Sequence, residues 1–247
     1  MLPQSEKLKE RARLRALPEL NPPLTVRLKF RKLGSLQYIS HLDLQRTFLR
    51  VLVRACIPVW YTKGFNPHPK LVFSAPLSVG AQSVYEFLDI RIDRVMEPCE
   101  IKERLNRELT DELYITDVYL PTSDFSEIGW ASYDIRICSE GMTEQKAEEM
   151  RSTLTTAPLM MTKRTKAGDK EIDIIPLIRS AALNLDTETG EVALTAVLRA
   201  SSAEYLNPDL LLTALRERCG ILCGDPMQER YSILRTSVMR EDGTLFC

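Results

Sequence analysis

Only two imidazoles occur in the chain, His41 and His68, and each lies in a short string of residues suited to protons or phosphates. His41 follows Ser40 in Ser40-His41-Leu42-Asp43, an S-x-x-D capping box that opens a helix. An imidazole placed near a helix N-terminus would serve as general base on a ribose 2′-hydroxyl, with Tyr38 and Lys63 or Lys70 assisting. A hydrogen bond to a neighbouring loop, or a contact to RNA, is the plainer reading, because no second catalytic group is committed by spacing. His68 lies in Gly64-Phe65-Asn66-Pro67-His68-Pro69, where two prolines force Asn66 and His68 out of helical geometry. A loop so stiffened costs little entropy to immobilise on a ligand, and it offers Phe65 for stacking and Asn66, His68 and Lys70 for polar contacts. The opposing reading packs Phe65 on its own domain.

Phosphate binding is better represented than proton transfer. Residues 25–80 hold nine Lys/Arg against Asp43 alone, a net +8, whereas residues 81–247 hold 19 basic and 30 acidic residues. The overall −1 therefore conceals a segregation. Arg27, Lys29 and Arg31 form a row on one strand face. Arg46, Arg50 and Arg54 recur every four residues along a helix, and Lys63 and Lys70 flank the proline loop. Seven of the chain's 17 aromatics fall in the same window: Phe30, Tyr38, Phe48, Trp60, Tyr61, Phe65 and Phe73. Cations for phosphates and rings for bases are what a nucleic-acid ligand needs, although ordinary solvated surface is the alternative for each row. Lys163, Arg164 and Lys166, with Lys170 nearby, make a second basic loop that would extend the track. Asp173, just after it, reads as an exposed strand residue rather than a catalytic acid.

Metal and cofactor chemistry has little to stand on. The six cysteines are scattered, only Cys219 and Cys223 are close, and no third cysteine completes a cluster spacing, so neither a metal nor a cofactor is expected. Phosphate-loop, dinucleotide and nucleophile-elbow signatures are missing. With 44% apolar and 27% charged residues, disorder is excluded. No 18-residue apolar run occurs, so a soluble, cytoplasmic protein without membrane contact is expected.

The elements that would position these residues follow from periodicity. Residues 1–22 read as a polar, basic leader, either a short helix or a loose arm, stopped by Pro22-Pro23. Leu24, Val26, Leu28 and Phe30 then alternate with polar residues as a strand. A helix of about 15 residues follows Ser40, with Leu42, Leu49, Leu52 and Val53 as its buried stripe. Val59–Tyr61 and Leu71–Phe73 read as extended, Tyr85–Ile92 as strand, Pro98–Leu109 as helix and Tyr114–Leu120 as strand. That order, β-α-β-β-α-β over residues 23–122, is ferredoxin-like. After a polar linker at Thr122–Gly129 it repeats over residues 130–240: strand Ser132–Ile137, helix Thr143–Leu154, the basic loop, a hairpin turning at Asp186–Gly190, helix Pro208–Cys219 and strand Tyr231–Val238. Asn207 and Gly220 cap the last helix. The expected class is α+β, with two tandem ferredoxin-like domains.

Phe30-Arg31-Lys32-Leu33-Gly34, Tyr38-Ile39-Ser40-His41-Leu42-Asp43, Lys63-Gly64-Phe65-Asn66-Pro67-His68-Pro69-Lys70 and Pro76-Leu77-Ser78-Val79-Gly80 together resemble an uncharacterised bacterial family. Its members are described as radical-SAM-associated or radical-SAM-linked proteins, a domain of unknown function. The resemblance implies a separately encoded radical SAM partner of the cobalamin-binding type and, from neighbouring ribosomal-protein and ribonuclease genes, an RNA context. A weaker, architectural likeness is to CRISPR-repeat-processing endoribonucleases. Their glycine-rich C-terminal loop has no clear match between Gly220 and Gly243. The expected function is a non-catalytic RNA-binding accessory protein for rRNA or tRNA modification. The alternatives are a metal-independent endoribonuclease using His41, and a protein–protein adaptor for the radical SAM partner that binds no RNA.

Overall fold

Strand alternation sets the first sheet. In β1 (Leu24–Lys32), Val26, Leu28 and Phe30 turn inward and pair with Ile90, Leu88 and Glu86 of β3 (Ala81–Ile92). The computed structural model describes residues 4–165 and 168–247, which divide into two compact units, one running to Asp124 and including Cys247, the other Phe125–Phe246. Among the described residues there are five α-helices, and strand pairing within each unit is antiparallel. None of the helices is long and apolar enough to cross a membrane.

The first unit begins with α1 (Gln4–Ala16), so the leader is a helix rather than a loose arm. After β1 come α2 (His41–Arg54), β2 (Leu71–Phe73), β3, α3 (Pro98–Asn106) and β4 (Leu113–Tyr119). Its strands lie side by side as β4-β1-β3-β2. The core between sheet and helices is built from Val26, Leu28, Phe30, Leu88, Ile90, Phe48, Leu52, Ile101 and Leu105.

Helix α2 starts where its capping box predicts. The Ser40 hydroxyl accepts from the Asp43 N–H at 3.1 Å and donates to the Asp43 carboxylate at 2.7 Å. Its buried stripe is Leu44, Phe48, Val51 and Leu52; of the expected Leu42, Leu49, Leu52 and Val53, Leu52 alone belongs to it. Leu42 and Val53 are exposed, each two positions from the ridge at Leu44 and Val51, and two residues turn a helix by about 200°.

In the second unit, β5 (Ile128–Cys138), α4 (Glu144–Thr155), β8 (Ile178–Leu185), β9 (Glu191–Arg199), α5 (Pro208–Cys219) and β10 (Arg230–Arg240) build a sheet ordered β10-β5-β9-β8. Between α4 and β8, β6 (Met160–Thr165) and β7 (Gly168–Asp173) form a separate two-stranded ribbon. The expected linker ends early, since Ile128 and Gly129 are already strand. Gly129 is required there by close approach, because a Cβ would stand 2.8 Å from the Glu241 Cα. Helix α5 has the expected ends, with the Asn207 side chain accepting from the Asp209 N–H and Gly220 left-handed at φ 62.

Candidate nucleic-acid interface

The strand row of cations is not the open surface that alternation suggested. Arg27 is only 1% exposed. Its guanidinium donates to both Asp89 carboxylate oxygens, at 2.7 and 2.9 Å, and to the Ser123 hydroxyl at 2.8 Å and carbonyl at 3.0 Å. Lys29 is half-buried with its ammonium 3.7 Å from the centre of the Tyr85 ring, and burial pushes its pKa down. Arg31, half-buried over the Tyr114 ring at 5.0 Å, donates to the Asp111 carbonyl at 3.2 Å. On the face opposite the helices Arg27 is thus buried while Lys29 and Arg31 are only half-buried, and the Arg27 donors are aimed at Asp89 and Ser123. A buried bidentate pair of this kind holds structure; it does not select phosphates.

Helix α2 keeps more of its row. Arg46 and Arg50 are exposed, and Arg46 makes only a long pair with Asp43 at 3.4 Å. Arg54 differs: it donates at 2.8 Å to Glu108, whose side chain is almost fully buried, so it neutralises an interior carboxylate. Of the seven aromatics in the basic window, Phe30, Phe48 and Phe73 meet edge-to-face at 5.0, 5.9 and 6.4 Å around the core. Tyr38, Tyr61 and Phe65 are exposed.

Two local devices present those exposed rings. At Gly34 (φ 59) the chain turns left-handed, and a side chain there would strike the Glu112 carboxylate. That carboxylate accepts from the Ser35 N–H at 3.1 Å and hydroxyl at 2.7 Å, which fixes the 3₁₀ turn Gly34–Tyr38. The proline loop closes on itself. Tyr61 bridges Pro69, the Thr62 N–H donates to the His68 carbonyl at 3.0 Å, and the His68 N–H donates to the Thr62 hydroxyl at 3.2 Å. His68 Nδ1 lies 2.9 Å from the Asn66 carbonyl, so this ring holds the turn together. At its tip Phe65 touches nothing that covers it and is fully exposed, with Lys63 and Lys70 exposed on either side.

His41 is exposed at the first turn of α2, its ring edge-on to Phe73 at 4.9 Å. It borders a cleft of only about 20 Å³ whose other lining includes Lys32, Ser40, Phe73 and Glu86. Tyr38 and Lys63, the expected assistants of a catalytic imidazole, are not among the lining residues. Lys32 and Glu86 are the charges that sequence reasoning missed; they are 3% and 6% exposed. One signal was available, because Lys32 continues the inward series Val26, Leu28, Phe30 and so stands where a hydrophobe belongs.

In the second unit, the basic segment expected as a loop is the β6–β7 ribbon, with Lys163 opposite Lys170 and Arg164 opposite Asp169; Lys166 lies outside the described residues. Asp173 is half-buried rather than exposed, accepting from the Leu159 and Ile175 N–H groups at 2.9 and 3.1 Å to fix the root of the ribbon. Cys219 is buried beside the Thr153 hydroxyl at 3.4 Å, whereas Cys223 is exposed. Among the described residues no three His, Cys, Asp or Glu side chains gather as a metal site.

No curated protein matches the chain. A family model does, over residues 25–208, a span that takes in β1, the capped helix α2, the proline loop and the second unit as far as the start of α5. The chain belongs to that family, the uncharacterized protein conserved in bacteria DUF2344.

Proposed function

We propose that the protein is a non-catalytic RNA-binding accessory factor that works with a cobalamin-type radical SAM enzyme in rRNA or tRNA modification, and that each of its units is a ferredoxin-like domain. Element order β-α-β-β-α-β and strand order 4-1-3-2 in the first unit support the fold reading. The second unit follows the same orders once the β6–β7 ribbon is set aside as an insertion. The radical SAM partner rests on the family resemblance.

The observation that carries the RNA reading is Phe65. An uncovered aromatic at the tip of a self-bonded loop, between exposed Lys63 and Lys70, has no role in the core and suits stacking on an unpaired base. Arg46 and Arg50 add exposed cations in the same unit. The non-catalytic half follows the plainer reading of His41, whose ring packs edge-on to Phe73 at 4.9 Å.

The test is retention of cellular RNA on the purified chain against two variants. Arg46→Glu with Arg50→Glu should lower affinity by about tenfold or more, and Phe65→Ala by roughly fivefold or more, since a base–aromatic stack is worth about 1–3 kcal/mol. Both should keep the parent's circular dichroism, because the three side chains are exposed. Unchanged retention in both variants would remove α2 and the loop from any RNA site and leave the adaptor reading.

A further inference from the structure

We propose that the cleft between α1 and the end of α2 binds one nucleoside monophosphate unit, its phosphate on three arginines and its base against Tyr61. The inference deepens the RNA-binding reading and rests on it only for one of two sources of that unit, the end of an RNA strand; the other source is a free nucleotide.

The cleft exists because two segments are held apart by their own contacts. One side of α1 is tied to α3. Arg13 meets Glu100 at 2.9 Å, Arg104 meets Glu10 at 2.7 Å and Glu100 at 2.5 Å, and Leu14 is buried in the core. That leaves Arg11 and Arg15, one helical turn apart and exposed, lining the cleft. Across it, Cys56 adopts a left-handed conformation (φ 53) just after α2 and turns the chain into an extended run. Val59 bridges Ile92, the Trp60 N–H donates to the Arg91 carbonyl at 2.8 Å, and Tyr61 bridges Pro69. Tyr61 is therefore presented on a braced segment.

The resulting space is about 370 Å³, with an apolar floor that includes Val53 and Ile57. Ligand sites begin near about 300 Å³. Three arginines line it, Arg11, Arg15 and Arg94, against one lining acid, Asp93, whose pKa burial pushes up. Arg94 is held more loosely than a bidentate pair would hold it: it donates to the Asp93 carbonyl at 3.0 Å and makes long ion pairs with Glu19 and Asp93 at 3.6 and 3.8 Å, while its buried Nε has no acceptor. A bare anion would use the guanidinium groups and leave the apolar floor and Tyr61 empty. A purely apolar ligand would desolvate three cations without return. A ligand with a phosphate at one end and a flat ring at the other satisfies both halves.

Calorimetric titration of the full chain decides the matter, with AMP, adenosine, inorganic phosphate and paired oligoribonucleotides carrying a 5′-phosphate or a 5′-hydroxyl. AMP should bind about tenfold or more tightly than either adenosine or phosphate, because each of those leaves one half of the cleft unused. Arg11→Glu with Arg15→Glu should cost AMP affinity by at least about that factor, and Tyr61→Ala should also weaken it. Retention of AMP in the Arg46→Glu, Arg50→Glu variant, which tests the RNA reading, separates the two sites. A preference for the 5′-phosphorylated strand matching that of AMP over adenosine assigns the strand end; AMP binding without that preference assigns the free nucleotide. AMP bound no more tightly than phosphate or adenosine, or equally by the α1 variant, overturns the proposal.

Discussion

Arg27 shows how one residue type serves opposite ends. In the sequence it belongs to a cationic row; in the fold it closes a bidentate pair with Asp89 beside Ser123. Alternation places its side chain on the face away from the helices, which is correct, but alternation does not say whether that face is wet. The informative partner, Asp89, lies 62 positions away, beyond any local pattern. Removing one member of a buried pair strands the other. Arg27→Met should therefore destabilise the first unit by about 3 kcal/mol, read as a lower urea midpoint, whereas Arg50→Met should stay within about 0.5 kcal/mol of the parent. Equal midpoints for the two variants would mean that the Asp89 pair does not hold the sheet. Phe65 was the reverse case. Its string announced a stiff loop, and only the three-dimensional closure through Thr62 and His68 shows that the ring points to solvent.

Among the elements, those with local chemistry at their ends were readable. Ser40 and Asp43 mark the start of α2, and Asn207 and Gly220 bracket α5, because a cap is made by residues within three positions of each other. The buried stripe of α2 was misjudged because Leu42, Leu49 and Val53 are as apolar as the residues that win; the sheet beneath, not the helix, selects the ridge through Phe48. Helix α1 is fixed by long-range ion pairs that no periodicity announces. Burial alone would raise the Glu10 carboxyl, but Arg104 and Arg13 outweigh it and hold it below the ordinary 4.5. A lowered folded-state pKa gives stability that is present above the unfolded value and lost as pH falls through the folded one. The protection of α1 amides, taken relative to intrinsic exchange at each pH, should thus fall as pH drops through 4.5 and below, more steeply than in Glu10→Gln, which lacks the titrating group. Identical pH profiles for the two proteins would show that this carboxylate does not dock the helix.

Taken whole, the molecule concentrates its cations where the linear count put them, in the stretch from β1 to the proline loop, but folding spends about half of them internally. Arg27, Arg54 and Lys32 go to the interior or to interior carboxylates, Lys29 and Arg31 lie half-buried over tyrosine rings, and Arg46, Arg50, Lys63 and Lys70 remain exposed. Composition could not foresee that division, because it counts charges without their partners. The order of strands and helices was readable in both halves; the β6–β7 ribbon was not, since its residues alternate weakly and its sheet is only two strands. Binding of cellular RNA by the full chain across a salt series, with EDTA present and products resolved on a gel, tests the central claim most directly. Four exposed cations on single-stranded phosphates predict intact RNA and a log–log slope of about −3, from about −0.7 per contact. A slope near zero, or no retained RNA at low salt, would contradict it.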